Sequence, residues 1–218
     1  MTQLHELSAR ALAKGYASGA FSPVDVAKAV LARIERWEPH LHATWLLRPE
    51  LALAQARESE ARWQRGVPLS PLDGVPMTLK DNLATQGDPT PLGTAAAPLF
   101  PALADAPPAA RLREAGAVLV SKTTMPDYGM LSSGLSSFHA LARNPWDLSK
   151  GPGGSSAGAG AAAAAGYGPL HVGTDIGGSL RLPASWCGIF SLKPSLGRIP
   201  IDPPYTGRAA GPMTRSVE

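Results

Sequence analysis

The sequence predicts an α/β layered fold on three observations. Helical patterning fills the first third, helix and strand signals alternate after it, and apolar residues make up 44% of the 218 positions against 17% charged, enough for a buried core. The expected organisation is a helical segment over 1–70 joined to a core over 71–218, the two forming one domain.

Leu4, Leu7, Ala11 and Leu12 recur at helical spacing, and Gly15 and Gly19 then loosen the pattern. Ser22-Pro23-Val24-Asp25 is a helix start: a capping hydroxyl, a proline suited to the first helical position and an acid at the positive end of the helix dipole. Val26, Val30, Leu31 and Ile34 continue it as an apolar stripe, which is expected to stop before Pro39. A short strand is predicted over 42–47 and a third helix over 50–64, ended by Gly66. Val75 to Leu79 reads as a strand running into Lys80-Asp81-Asn82, followed by a helix over 106–115 and a strand over 117–120. The stretch from Gly151 holds 14 of the 23 glycines and only eight charged residues. Its alanine run, 159–165, reads as a tightly packed helix. The ordered apolar sequence 171–176 beside it argues against a flexible linker.

Composition excludes several classes. The net charge is +3 and no run of four Lys or Arg occurs, so a nucleic-acid partner is not expected. No apolar run approaches 18 residues, and the first 20 carry charge where a signal peptide would be apolar, so neither a membrane partner nor export is expected and the expected location is the cytoplasm. Cys187 is the single cysteine, and H-E-x-x-H, C-x-x-C and Gly-Lys signatures are absent, so no metal and no cofactor is expected. Gly154-Ser155-Ser156-Ala157-Gly158 matches a G-x-S-x-G nucleophile elbow. That motif needs a preceding strand and then an acid and a histidine in that order; here the preceding residues are turn-like and His171 comes before Asp175. His5, His40, His42, His139 and His171 share no spacing.

A stronger constellation is spread over three segments: Lys80 in Gly74-Val75-Pro76-Met77-Thr78-Leu79-Lys80-Asp81-Asn82, Ser155 in the glycine-rich stretch, and Ser179 in Gly173-Thr174-Asp175-Ile176-Gly177-Gly178-Ser179-Leu180-Arg181. Ser155 lies 75 residues after Lys80, and Ser179 a further 24 on. Asn144-Pro145-Trp146-Asp147, Cys187-Gly188-Ile189-Phe190 and Gly211-Pro212-Met213-Thr214-Arg215 accompany them. In this ordered set the chain resembles the amidase signature family of serine amidohydrolases along nearly its whole length. The resemblance implies an α/β/α fold with a central mixed sheet, of which this chain is expected to carry an incomplete version, because family members run well past Val217.

It also implies a catalytic set of Lys80, Ser155 and Ser179, with a cis peptide before Ser155. Ser179 would be the nucleophile, Ser155 the proton relay and Lys80 the base, which must be desolvated to be neutral near pH 7. Asp81, next in sequence, would oppose that if it faced the ammonium and is expected to point elsewhere. The N–H groups of Ile176, Gly177, Gly178 and Ser179 would form the oxyanion hole. Ser132, Ser133 and Gly154 would line the substrate site, while Ser156, Thr174, Asp175 and Arg181 would brace the reacting groups. Ala157 departs from the glycine usual in the family, and Cys187 is expected to be a packed small hydrophobe. The implied partner is a small-molecule amide, with a homodimer or association with a C-terminal portion left open. Two alternatives stay open beside amide hydrolysis: the A component of a glutamyl-tRNA amidotransferase, and an inactive truncated scaffold or interaction module.

Overall fold

The computed structural model describes residues 3–217. Helix α1 (Ala9–Ser18) starts at Ser8, whose Oγ accepts the Ala11 N–H at 3.2 Å. Gly15 lies inside this helix, where a Cβ would fall 2.0 Å from Phe21 Cζ, so the ring packs straight onto the backbone. Helix α2 (Pro23–Leu41) opens with a reciprocal cap in which Ser22 and Asp25 each accept the other's backbone N–H. It does not stop before Pro39. That proline falls in the last turn, where it forfeits one amide donor, and the fully buried Leu41 holds the turn against the core. His42, at φ 50, closes the helix by donating its N–H to Glu38 O at 3.1 Å. Strand β1 (Thr44–Leu47) and helix α3 (Pro49–Gln64) follow.

The remaining elements are β2 (Pro76–Lys80), α4 (Pro107–Glu114), β3 (Val118–Thr123), α5 (Ala157–Ala165), β4 (Leu170–Asp175), α6 (Arg181–Cys187), β5 (Phe190–Ser191) and β6 (Ala209–Thr214). The six strands form one mixed sheet in the order β1-β3-β2-β4-β6-β5. The central strands β3, β2 and β4 are parallel to one another, while β1, β6 and β5 each run antiparallel to their neighbours. The expected α/β architecture with a central mixed sheet is the one found.

Strand alternation divides the core between the two faces. Val75, Val118 and Val120 pack with Leu12, Val30, Ile34, Ala161 and Ala162 from the helices of one face. Met77, Leu79 and Leu119 pack with Ala109 and Leu112 of α4 on the other. Helix α5 lies almost on the strands because its face is glycine and alanine: a Cβ on Gly158 would come within 2.1 Å of Ala43 O and 2.4 Å of Thr124 N. Ala157, the first residue of α5, is fully buried. No helix among the described residues is long and apolar enough to cross a membrane.

Two consequences position the site. Lys80 is the last residue of β2 and Asp175 the last of the adjacent parallel β4, so both stand at the carboxyl edge of the sheet, where open α/β sheets place ligands. Ser155 and Ser156 lie immediately before α5 and reach the same edge.

Candidate active site

Lys80 is completely buried, and its Nζ meets three hydroxyl oxygens: Ser155 Oγ at 2.8 Å, Ser156 Oγ at 3.0 Å and Thr174 Oγ1 at 3.1 Å. A lysine in that setting has no carboxylate bonded to it to balance an ammonium. Desolvation, followed by the repulsion of Arg208, lowers its pKa to about 7, against the weaker opposing pull of Asp81 and Asp175. Asp81 is occupied away from it. Its carboxylate accepts the N–H groups of Leu92 at 3.2 Å and Gly93 at 2.7 Å and pairs with His139 Nε2 at 2.8 Å.

The hydroxyls around Lys80 are themselves oriented. Ser156 Oγ donates to Thr174 O at 3.1 Å and accepts the Thr174 N–H at 3.3 Å, tying the start of α5 to the end of β4. Thr174 Oγ1 accepts Asn82 Nδ2 at 3.0 Å. Ser155 follows a cis peptide bond from Gly154. Gly154 can carry no side chain: a Cβ would fall 2.5 Å from Ser133 N and 2.6 Å from Leu131 O. Gly153, at φ 85, likewise faces the backbone of Pro183 at 2.9 Å.

Ser155 and Ser179 both line a cavity of about 360 Å³. The Ser179 carbonyl accepts the Ser156 N–H at 3.2 Å, and Ser179 is half-buried with no hydrogen bond from its hydroxyl to another described residue. The 176–179 loop hangs from the Asp175 carboxylate, which accepts the N–H groups of Gly178 at 2.8 Å and Leu180 at 3.0 Å and pairs with the Arg181 guanidinium at 3.0 and 3.1 Å. Burial alone would raise the pKa of Asp175; Arg181 and the two amides outweigh it and hold the carboxyl at about 2.

Several expectations need correction. The Gly178 N–H is not available to an oxyanion, because at φ 128 it turns back to Asp175; the N–H groups of Ile176, Gly177 and Ser179 make no hydrogen bond to described residues and remain open. Ser132 is on the cavity wall, but Ser133 and Gly154 are not: they press on each other behind it, and Ser133 Oγ accepts the Leu135 N–H. The wall also includes Asn82, Tyr128, Met130, Leu131, Tyr205 and Arg208, to which the sequence alone assigns no role. Tyr128 sits at φ 50 in an irregular loop, and Tyr205 and Arg208 lie in a proline-rich connection, so no periodicity marks them.

Other quoted motifs prove to be braces. Asn144 Nδ2 donates to Trp186 O at 3.0 Å and Trp146 Nε1 to Cys187 O at 2.8 Å, clamping the end of α6. Cys187 is buried, donates to Pro152 O, and has its thiol pushed up to about 12 by desolvation, which leaves it unreactive. Among the described residues no group of three or more His, Cys, Asp or Glu side chains gathers as metal ligands would.

With this geometry the known relatives can be compared. Residues 25–218 match the family model described as Amidase. The glutamyl-tRNA(Gln) amidotransferase A component of Chloroflexus aggregans is 45% identical over 199 residues, covering 91% of this chain and 41% of that protein. The protein of the same name from Nitratidesulfovibrio vulgaris is 43% identical over 223 residues, covering 100% and 45%. Among solved structures, a bacterial aryl acylamidase of the amidase signature family superposes with a TM-score of 0.91 at 31% identity, covering 99% of this chain and 46% of that one. A 6-aminohexanoate cyclic dimer hydrolase superposes with a TM-score of 0.86 at 34% identity, covering 99% and 45%. The chain thus spans between two fifths and half the length of these relatives.

Proposed function

The chain belongs to the amidase signature family, and from that membership we propose that it hydrolyses a carboxylic acid amide to an acid and an amine or ammonia through an acyl-enzyme on Ser179. The observation that carries the reading is the buried Lys80 Nζ 2.8 Å from Ser155 Oγ, on a cavity wall that Ser155 shares with Ser179. Neutral Lys80 accepts the Ser155 proton as Ser155 takes that of Ser179, and Ser179 Oγ attacks the amide carbon. The carbonyl oxygen becomes an oxyanion against the open N–H groups of Ile176, Gly177 and Ser179; one such donor typically contributes about 3–4 kcal/mol to lowering the barrier. The proton returns through Ser155 to the departing nitrogen as the C–N bond breaks, and water then hydrolyses the ester with the same relay acting as its base.

Ser179→Ala is expected to abolish covalent labelling by a serine-reactive fluorophosphonate, read by intact mass, and amine release from aryl amides with it. Lys80→Ala is expected to slow both by about 100-fold or more. Full labelling of the Ser179→Ala protein would overturn the assignment. A second reading, the ammonia-releasing component of a glutamyl-tRNA amidotransferase, is favoured by the 45% and 43% identities to proteins of that name. It requires Ser179-dependent ammonia release from glutamine, which a plain arylamidase would not show.

A further inference from the structure

Arg208 is the one charged residue among those that line the cavity of Ser155 and Ser179, among the described residues. It immediately precedes β6, and the antiparallel register pairs Ala209 with Asp175, which sets Arg208 beside Ile176 at the start of the loop that carries Ser179. The neighbouring Gly207 confirms the closeness: a Cβ there would lie 3.7 Å from Ile176 Cγ2. The tight turn before β6, in which the Arg208 N–H donates to Tyr205 O at 3.0 Å, brings the guanidinium 4.4 Å over the Tyr205 ring.

This guanidinium differs from others in the chain. Arg62 is paired with Asp73, Arg181 with Asp175, and Arg33 and Arg215 donate to backbone carbonyls. The Arg208 side chain has a ring beneath it and no hydrogen-bond acceptor among the described residues. Partial burial lowers its pKa, so it bears a desolvation cost that no bonded protein anion offsets. The ring contact helps hold the guanidinium in place, and with no protein acceptor its N–H groups are open to a bidentate acceptor. A lone cation on the face of a globular protein is ordinarily a solvated charge. This one lies in the cavity wall and is near enough to Lys80 to be the second cause of its lowered pKa.

We infer that Arg208 makes this site selective for amides whose acyl portion carries a free carboxylate. The acyl portion is indicated because it stays on Ser179 after the amine has left, so an anchor on the cavity wall acts through both halves of the reaction. Arginine suits a carboxylate through its planar fork, which a lysine point charge does not reproduce. The inference rests on the Ser179 acyl-enzyme reading and narrows its substrate.

Two alkyl fluorophosphonates of equal chain length, one ending in a carboxylate and one in its methyl ester, test it on the protein and on its Arg208→Met and Arg208→Lys variants. The rate of covalent labelling is followed by intact mass. The carboxylate probe is expected to label the unsubstituted protein about tenfold or more faster than the ester, as a charge-assisted pair implies. Arg208→Met should bring that ratio to near one, and Arg208→Lys to an intermediate value. Taking the ratio cancels the change that either variant makes in Lys80. Equal labelling by the two probes in the unsubstituted protein, or a ratio unmoved by Arg208→Met, overturns the inference while leaving Ser179 as nucleophile. Failure of both probes to modify Ser179 is a different result and overturns the hydrolase reading beneath it. Circular dichroism of each variant checks folding, and Arg208→Lys, which keeps the charge and most of the volume, decides the matter where Arg208→Met is unfolded.

Discussion

On the proposed mechanism Lys80 governs how the site answers to pH. The proposed base must be neutral to act, and with its pKa lowered to about 7 by desolvation and Arg208 Lys80 is mostly protonated below pH 7 and mostly neutral above about pH 8. The kcat/KM of amide hydrolysis is therefore expected to rise with pH through about 7 and to level off above it. Lys80→Arg keeps the charge but cannot shed it, so it should be inactive across the range. A pH–rate profile with its acidic limb near about 10, the ordinary lysine value, would contradict the geometry. At this scale the legible part came through the resemblance to the amidase signature family, which picks out Lys80, Ser155 and Ser179, and the structure gathers Lys80 with Ser155, Ser156 and Thr174. The direction of the Gly178 N–H was not legible, since four successive amides look alike in sequence and only the Asp175 carboxylate tells them apart. Nor were Tyr205 and Arg208, which reach the cavity because of the β4–β6 register and not because of any local pattern.

Helix α5 shows what a low-complexity stretch does once it is placed. Its nine residues are all Ala or Gly, so it offers no amphipathic stripe, and eight of them are buried. Close approach to the sheet is what lets Ser155 and Ser156, just before its first turn, come within hydrogen-bond reach of Lys80. Gly158 sets that approach. Gly158→Ala puts a methyl 2.1 Å from Ala43 O and 2.4 Å from Thr124 N, both backbone atoms that can yield only if the chain beside β1 or β3 shifts. Overpacking of this kind costs about 1–3 kcal/mol, and the denaturant midpoint should fall accordingly. Gly151→Ala, with nothing within 4 Å of the added carbon, should stay within about 0.5 kcal/mol. If the two variants unfold at the same denaturant concentration, α5 is not held by contact at Gly158. Element by element, strong periodicity read well: α2, α3, α4 and β2 lie within a residue or two of expectation at their starts. Pro39 misled because the rule against interior proline is weakest in a last turn anchored by a buried Leu41. Strand β6 was not anticipated, since Gly211 and Pro212 are poor strand formers and it exists only because β4 and β5 flank it.

The whole molecule depends on contacts between stretches that sequence patterning treats as separate. Tyr16 donates its hydroxyl to Gly74 O at 3.1 Å, Arg33 donates to Ala165 O at 2.8 Å, and Arg215 to His5 O at 2.8 Å. These join the N-terminal helices to the sheet and to α5, but each pairs a side chain with a distant carbonyl that has no signature in the sequence. A two-bond ion pair also ties Arg62 on α3 to Asp73 in the turn before β2. Its two bonds measure 2.7 and 2.8 Å, the carboxylate is fully buried, and the adjacent Trp63 donates to the Asp73 carbonyl at 3.0 Å. Arg62→Ala leaves the buried Asp73 carboxylate without its bonded cation, held by the Leu69 N–H, and breaking such a pair from one side costs about 3–5 kcal/mol. Replacing both partners, Arg62→Met with Asp73→Leu, removes the stranded charge and should recover most of that loss. Because Leu12, Val30 and Ile34 share one core with Val75, Val120 and Ala161, the damage cannot stay local. Trp fluorescence, to which Trp37, Trp45 and Trp63 contribute from the N-terminal segment and Trp146 and Trp186 from the rest, and far-ultraviolet circular dichroism should therefore report one coincident unfolding transition in the unsubstituted protein and in both variants. Two separated transitions, with the fluorescence change alone moved by Arg62→Ala, would mean that residues 1–70 and 71–218 fold independently and that the reacting groups at the sheet edge do not need the N-terminal helices for their support.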